Sequence, residues 1–430
     1  MSNLKKYRFC DLYTMSSGIS STKDQAGHGS PFLSFSVVFN NYFVPDALPD
    51  LMDTSDKEKE TYSIKSGDIF LTRTSEVVDE LAMSCVAIKD YPNASYSGFL
   101  KRLRATQADI TYSKFMAFYL RSPMFRKTMT NNAVMTLRAS LNEAIFSYLD
   151  LLLPEYDDQV KAGDLLYLLN EKIALNNRIN AELEAMAKTL YDYWFVQFDF
   201  PDDSPKGQGK PYKSSGGKMV YNPALKREIP EGWSDGTLED LGQIVGGSTP
   251  STQDPENFST DGRPWITPND LSNNQGNKFI SRGGQDVSAE GIKNASLKMY
   301  PAGTVLLSSR APIGYMAISR NEVTTNQGFK SFIPNKLYST EFIYYTVKNS
   351  LKAITKYASG STFKEVSGGT LKTVKVVLPS GNICDAFTEK SKPIFSQQDN
   401  IEKENIQLAK LRDWLLPLLM NGQVTVGEVS

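Results

Sequence analysis

The side chains able to do chemistry in this sequence are mostly cations, amides and hydroxyls, and the sets needed to break bonds are missing. His28 is the single histidine, which removes histidine triads and histidine-rich zinc sites. It lies between Gly27 and Gly29 and reads as a loop residue. Methyl transfer to an exocyclic amine needs an Asn/Asp-Pro-Pro-aromatic loop, yet no Pro-Pro dipeptide occurs; Asn222-Pro223-Ala224 is the nearest approach. A metal-dependent nuclease of the Asp/Glu-x-Lys type needs a carboxylate two residues before a lysine. No lysine has one, so Pro201-Asp202-Asp203 reads as a turn. Ser215-Gly216-Gly217-Lys218 lacks the first glycine of a phosphate-cradling GxxxxGK[ST] loop. Cys10, Cys85 and Cys384 are isolated thiols with no CxxC pair, as expected of a protein in a reducing cytoplasm.

What remains is the chemistry of recognition. Arginine and lysine pair with phosphates and guanine, asparagine and glutamine with adenine, and hydroxyls with phosphate or base. If the partner is a nucleic acid, the candidate contact residues are Thr72, Arg73, Lys101, Arg102, Arg104 and Arg138 in the first half of the chain. In the second half they are Ser309, Arg310, Asn326, Gln327, Lys330, Ser361 and Thr362. No catalytic or metal-ligating residue is expected. The overall net charge of −1 conceals segregation. Gly98 to Ser140 holds eight basic residues against Asp109 alone, net +7; Arg310 to Lys375 holds ten against three, again net +7. Glu155 to Asp203, with four basic and eleven acidic residues, is net −7. Such a pattern suits anion-binding lobes joined by acidic elements that face another protein.

The elements that must position these residues come in two copies. Ser21-Thr22-Lys23-Asp24 returns as Ser251-Thr252-Gln253-Asp254, and Pro31-Phe32-Leu33-Ser34 as Pro264-Trp265-Ile266-Thr267. The turn and strand from Ser66 to Thr72 return from Ala302 to Ser308, and Ser97-Gly98-Phe99 with Lys101 as Gln327-Gly328-Phe329-Lys330. Tyr112 to Ser122 echoes Tyr338 to Asn349, and Leu151-Leu152-Leu153-Pro154 answers Val376-Val377-Leu378-Pro379. The offset between copies stays between 225 and 237, the signature of a duplicated module. β-rich runs (Ser34 to Phe39, Asp68 to Thr72, Thr304 to Ser309, Thr373 to Leu378) mix with short helices, which predicts an α+β fold.

Each copy runs into a helix with heptad spacing. In the first, Leu169, Asn176, Leu183 and Leu190 form one stripe, with Ile179, Met186 and Tyr193 as its companion. In the second, Ile394, Ile401, Leu408 and Leu415 are joined by Leu411 and Leu418. Helices so patterned pack along a shared seam, and a polar Asn176 on that seam fixes register. The predicted layout is a first recognition domain (1–154), a first long helix (155–200), a Pro/Gly/Ser/Lys-rich loop linker (201–228), a second recognition domain (229–379) and a second long helix (380–430). No apolar run approaches the ~20 residues of a membrane helix, and no signal peptide is visible at the start.

With these pieces assembled, the chain resembles the specificity subunit of type I restriction–modification systems. The resemblance is carried by Ile229-Pro230-Glu231-Gly232-Trp233, Gly246-Gly247-Ser248-Thr249-Pro250-Ser251 and Pro264-Trp265-Ile266-Thr267-Pro268-Asn269-Asp270-Leu271. It continues through Ser308-Ser309-Arg310-Ala311-Pro312-Ile313-Gly314, Thr325-Asn326-Gln327-Gly328-Phe329-Lys330 and Gly360-Ser361-Thr362-Phe363. The helix from Asn180 to Ala187, the run Tyr193-Trp194-Phe195 and the tail from Leu415 to Gly422 complete it. The first module lacks the Ile-Pro-x-Gly-Trp motif and has Gly18-Ile19-Ser20-Ser21 where the family has Gly-Gly-Thr-Pro.

The resemblance implies two target-recognition domains, each reading half of a split double-stranded DNA sequence, with the long helices antiparallel and setting the spacing. It implies two modification (methyltransferase) subunits as partners, carrying S-adenosylmethionine, and restriction subunits carrying ATP and Mg. No cofactor is expected on this chain, nor any membrane, and the location expected is the cytoplasm. The alternatives are a DNA methyltransferase or nuclease acting by itself, against which the missing motifs stand, and a non-DNA coiled-coil scaffold, against which the duplicated basic segments stand.

Overall fold

A computed structural model describes residues 4–75, 77, 80–132, 139–141, 143–205, 207–310, 312–356 and 365–427. The chain divides into two compact units, Met1–Leu175 with Ile406–Ser430, and Asn176–Asn405.

In the first unit, Tyr13–Ser17, Leu100–Ala105, Ile69–Thr72 and Ser84–Val86 form one sheet in that order. Asp50–Met52, Ala26–Leu33 and Ser95–Tyr96 form a second, and Lys5–Arg8 pairs antiparallel with Asp150–Leu153. The second unit repeats this plan. Its larger sheet runs Gly242–Val245, Ser331–Pro334, Val305–Leu307, Met316–Ser319, Phe279–Ile280, the last strand being an addition. Arg263–Ile266 and Thr324–Thr325 stand where Ala26–Leu33 and Ser95–Tyr96 stand, both pairs parallel.

The copies agree at the level of single bonds. Lys5 faces Leu153 as Ser234 faces Leu378. Ile19 N–H donates to the Tyr96 carbonyl at 2.9 Å, and Ser248 N–H to the Thr325 carbonyl at 3.0 Å. Gly67 and Gly303, both with positive φ (85° and 84°), turn the chain into the central strand and donate to Ala87 and Ser319, each at 2.8 Å. That conformation is cheap only for glycine, which explains why the Gly-Asp and Gly-Thr turns were legible. The backbone shifts one sequence match: Thr72 faces Leu100 and Ser308 faces Phe329, so Phe99 stands at the place of Gly328.

Three readings are corrected. Phe35–Asn40, expected as strand, is helix; the preceding strand ends at Leu33 and Ser34 takes the N-cap position as Thr267 does ahead of Pro268–Asn273. Burial of Val37 and Val38 on one side of that turn outweighs their strand preference. The Gly/Pro/Ser-rich linker is ordered, with Met219–Asn222 paired to Arg227–Pro230. Phe200 lies between Tyr212 (4.7 Å) and Trp233 (5.0 Å), a small aromatic core that composition alone conceals. His28 belongs to a strand, exposed at a bulge between Ala26 and Ser30.

Two long helices, Tyr156–Tyr191 and Gly381–Met420, pack antiparallel. In the first unit Ala162 and Leu166 join Leu416, Leu419 and Met420 in one core. In the second unit the seam also carries polar pairs. Buried Asn176 donates to Glu404 at 2.8 Å and to Asn405 at 2.9 Å, while Gln398 reaches the Asn180 carbonyl at 3.3 Å. A pairing that only one register satisfies is the use of seam asparagine anticipated from the heptads. The companion stripe, however, runs through Asn180, Ala187 and Trp194, which are buried. Ile179, Met186 and Tyr193 are exposed, while the small Ala187 joins the apolar cluster of the second unit.

Where the added strand meets these helices there is a buried ion network. Glu402 accepts from the backbone N–H of Lys278 (2.7 Å) and Phe279 (3.1 Å) and from Arg320 (2.7 Å), which also binds Asp399 at 2.5 Å. Lys278 Nζ meets Glu184 at 2.6 Å, Gln398 at 2.6 Å and the Phe395 ring at 3.7 Å. Burial lowers the Lys278 ammonium to about 8 in spite of Glu184. Burial opposes ionisation of Glu184 too, but Lys278 and Lys348 hold its carboxyl below the usual range.

Candidate nucleic-acid interface

In the second unit, two loops and a strand end assemble a polar surface. Gly247 lets the Gly246–Thr249 segment lie flat on the backbone of Thr325 and Asn326. A Cβ there would come within 1.9 Å of the Thr325 carbonyl oxygen and 2.3 Å of that of Asn326. Trp265 Nε1 donates to the Ser248 carbonyl at 3.1 Å and pins the same segment. So held, Thr249 hydrogen-bonds its hydroxyl to the Gln327 side chain, which is exposed. Asn326 turns its Oδ1 to the Gly328 N–H at 2.9 Å. Replacing Gly247 with alanine is expected to destabilise the unit by about 1–3 kcal/mol, since backbone must move. It should also separate Thr249 from Gln327; thermal unfolding and DNA binding of the purified variant check both effects.

Beside this loop Arg310 pairs with Glu365 at 3.1 Å through half-exposed side chains, and Lys330 Nζ lies 4.0 Å from the same carboxylate. Ser309 is fully buried, its backbone bonded to Gly328 (2.8 Å) and Val366 (2.9 Å). The second-half candidates Arg310, Asn326, Gln327 and Lys330 therefore share one surface, and Ser309 supports it from beneath. Ser361 and Thr362 lie outside the described residues. Glu365 and Thr249 belong to this surface and were not singled out from sequence. An acid among basic candidates gives no positive signal, and Thr249 reads there only as part of a Gly-Gly-Ser-Thr-Pro string.

The first unit distributes its candidates differently. Arg73 is exposed, with its N–H on the Phe99 carbonyl at 2.8 Å. Lys101 is nearly buried and donates to Ser17 Oγ at 2.8 Å. Thr72 is fully buried, accepting from Met83 N–H at 2.9 Å. Arg102 donates to the Ser63 carbonyl at 2.7 Å and lies over the Tyr96 ring. Arg104 grips Asp68 with two bonds of 2.7 and 2.6 Å, and this contact raises its pKa. Thr72, Arg102 and Arg104 thus hold the sheet together; only Arg73 among the described candidates is offered outward. Arg138 lies outside the described residues.

Lys114 is bound to Asp164, Arg121 to the carbonyls of Ser84, Val38, Phe39 and Asn41, Arg320 to Asp399 and Glu402, and Lys348 to Glu184. Lys114, Arg320 and Lys348 are thus paired with carboxylates of the long helices and Arg121 is held by backbone carbonyls, uses of charge that a linear count cannot see.

Residues 230–411 match the family model described as the type I restriction modification DNA specificity domain. Over 99% of its length the chain is 28% identical to the HindI type I restriction enzyme specificity subunit of Haemophilus influenzae, all of which is covered. Over residues 230–411 the chain is similar to type I restriction modification DNA specificity domains, and over almost its whole length to a type I specificity subunit. A 200-residue stretch is 38% identical to the MjaIX specificity subunit of Methanocaldococcus jannaschii, covering 44% of this chain and 45% of that relative. The crystal structure of an S subunit from M. genitalium shares the fold (TM-score 0.60, 13% identity, 100% of this chain and 97% of that one). The relatives it matches are named as specificity subunits of type I restriction enzymes. No helix among the described residues is long and apolar enough to cross a membrane.

Proposed function

We propose that this chain is a specificity subunit that reads a bipartite DNA target, one half by each unit, and directs methyltransferase and restriction subunits to it. The observation that carries the reading is the duplication itself. The same loop, pinned by the same hydrogen bond (Ile19 to Tyr96, Ser248 to Thr325), recurs beside outward-facing arginines, Arg73 and Arg310. Two such surfaces in one chain reproduce the logic of a dimer on two half-sites. Phosphate contacts from arginine and lysine supply affinity, and base-edge contacts supply discrimination.

In this reading the long helices set the separation of the half-sites, and two modification subunits and the restriction subunits dock on the specificity subunit. The exposed Ile179, Met186 and Tyr193 in the second unit, and Leu411 and Trp414 in the first, support a partner-facing role for the helices. S-adenosylmethionine belongs to the modification subunits and ATP with Mg to the restriction subunits, all in the cytoplasm with the DNA. The test is to co-express the chain with its modification subunit and map methylated bases across a host genome. Methylation confined to one two-part sequence is expected; methylation scattered without a shared sequence, or the same pattern without this chain, contradicts the reading.

A further inference from the structure

Phe99 is an aromatic side chain that the fold turns outward and holds there. It is 65% exposed, yet its backbone is fixed on both sides. Its N–H donates to Ser97 Oγ at 3.2 Å, and its carbonyl accepts from Arg73 N–H at 2.8 Å. The preceding Gly98 is clamped by its N–H on the Ile19 carbonyl at 2.7 Å, where a Cβ would come within 2.8 Å of that oxygen. The ring therefore projects from a rigid loop beside Arg73, so little conformational freedom is lost when it makes contact. At the matching place in the second unit stands Gly328, where even a Cβ would meet Asn326 Oδ1 and Pro268 Cγ at 3.0 Å. Among the described residues, the two surfaces thus differ at this point by one large apolar group.

On a DNA base edge the group that an apolar side chain can recognise is the 5-methyl of thymine in the major groove. We propose that Phe99 is a specificity-determining residue that reads a thymine methyl group in the half-site recognised by the first unit. The inference rests on the bipartite-reader function and refines it: Arg73 anchors by charge while Phe99 selects by apolar contact, and the matching place in the second unit, Gly328, carries no side chain to do the same.

The test uses the full chain with its modification subunit and short duplexes carrying the mapped target, with each thymine of the first half replaced in turn by uracil. One replacement is expected to weaken wild-type binding about fourfold, the worth of one buried methyl at about 0.8 kcal/mol. Phe99→Ala should bind the thymine duplex about as weakly as the wild type binds that uracil duplex, and should not distinguish thymine from uracil. Phe99→Leu, still apolar, should retain part of the discrimination. Uracil in the second half should be equally tolerated by wild type and Phe99→Ala. Equal wild-type binding of every first-half uracil duplex overturns the proposal, and so does discrimination that survives in Phe99→Ala. Uracil tolerance together with a DNA bend that Phe99→Ala abolishes overturns it in favour of a wedge between bases. Absence of any sequence-specific binding by the wild type would instead remove the parent function.

Discussion

Replacing Glu402 with alanine is expected to lower the stability of the second unit by about 3–5 kcal/mol, the cost of breaking a buried charged network on one side. Glu402 is 1% exposed and satisfies three donors at once: the N–H groups of Lys278 and Phe279 and the Arg320 guanidinium. Alanine leaves two buried N–H groups without an acceptor, each costing about 1–3 kcal/mol, and leaves Arg320 with Asp399 alone. For a unit of this size the melting temperature should fall by roughly 10 °C, at about 2–4 °C per kcal/mol. Glu402→Gln keeps a carbonyl acceptor and should fall between wild type and alanine. Calorimetry of the purified chain checks both. A melting temperature of Glu402→Ala within 2 °C of wild type would show that the network does not join strand to helices.

The second large effect is on binding. Removing Arg310 and Lys330 together should weaken binding of the mapped target by about 2–6 kcal/mol, from about 1–3 kcal/mol for each contact. The singles should differ in kind. Arg310→Ala should relax the base preference at one position, as expected of a guanidinium on a base edge. Lys330→Ala should weaken all sequences alike and reduce the salt slope by about one, as expected of a phosphate contact. Glu365→Gln should act oppositely, because it removes the carboxylate that both cations face in the free protein. Tighter but less selective binding is expected there. Titrations at several salt concentrations separate these outcomes, and identical profiles for the two singles would contradict the assigned roles.

The duplication was legible because it rests on local features, positive-φ glycines and apolar strand cores, that leave marks in short strings. Heptads likewise revealed the helices, and Asn176 its place in the seam. What failed to show were choices made by tertiary contact. Ala187 and not Met186 is buried in the apolar cluster, a choice of helix face that the heptad letters do not settle. Arg104 and Arg73 look alike as letters, yet one is locked to Asp68 and the other faces out. Ser34 to Phe39 has strand-forming composition but folds as helix once its predecessor has ended the sheet. The match of Gly98 to Gly328 was attractive and off by one; strand pairing puts Phe99 there instead.

The central claim is that each unit reads its own half of the target. Exchanging Ile229 to Pro379 for the corresponding module of another specificity subunit, then mapping methylated bases by single-molecule sequencing in cells that hold the modification subunit, tests it directly. The expected result is a new second half joined to an unchanged first half. A change in both halves, or in neither, would contradict the claim.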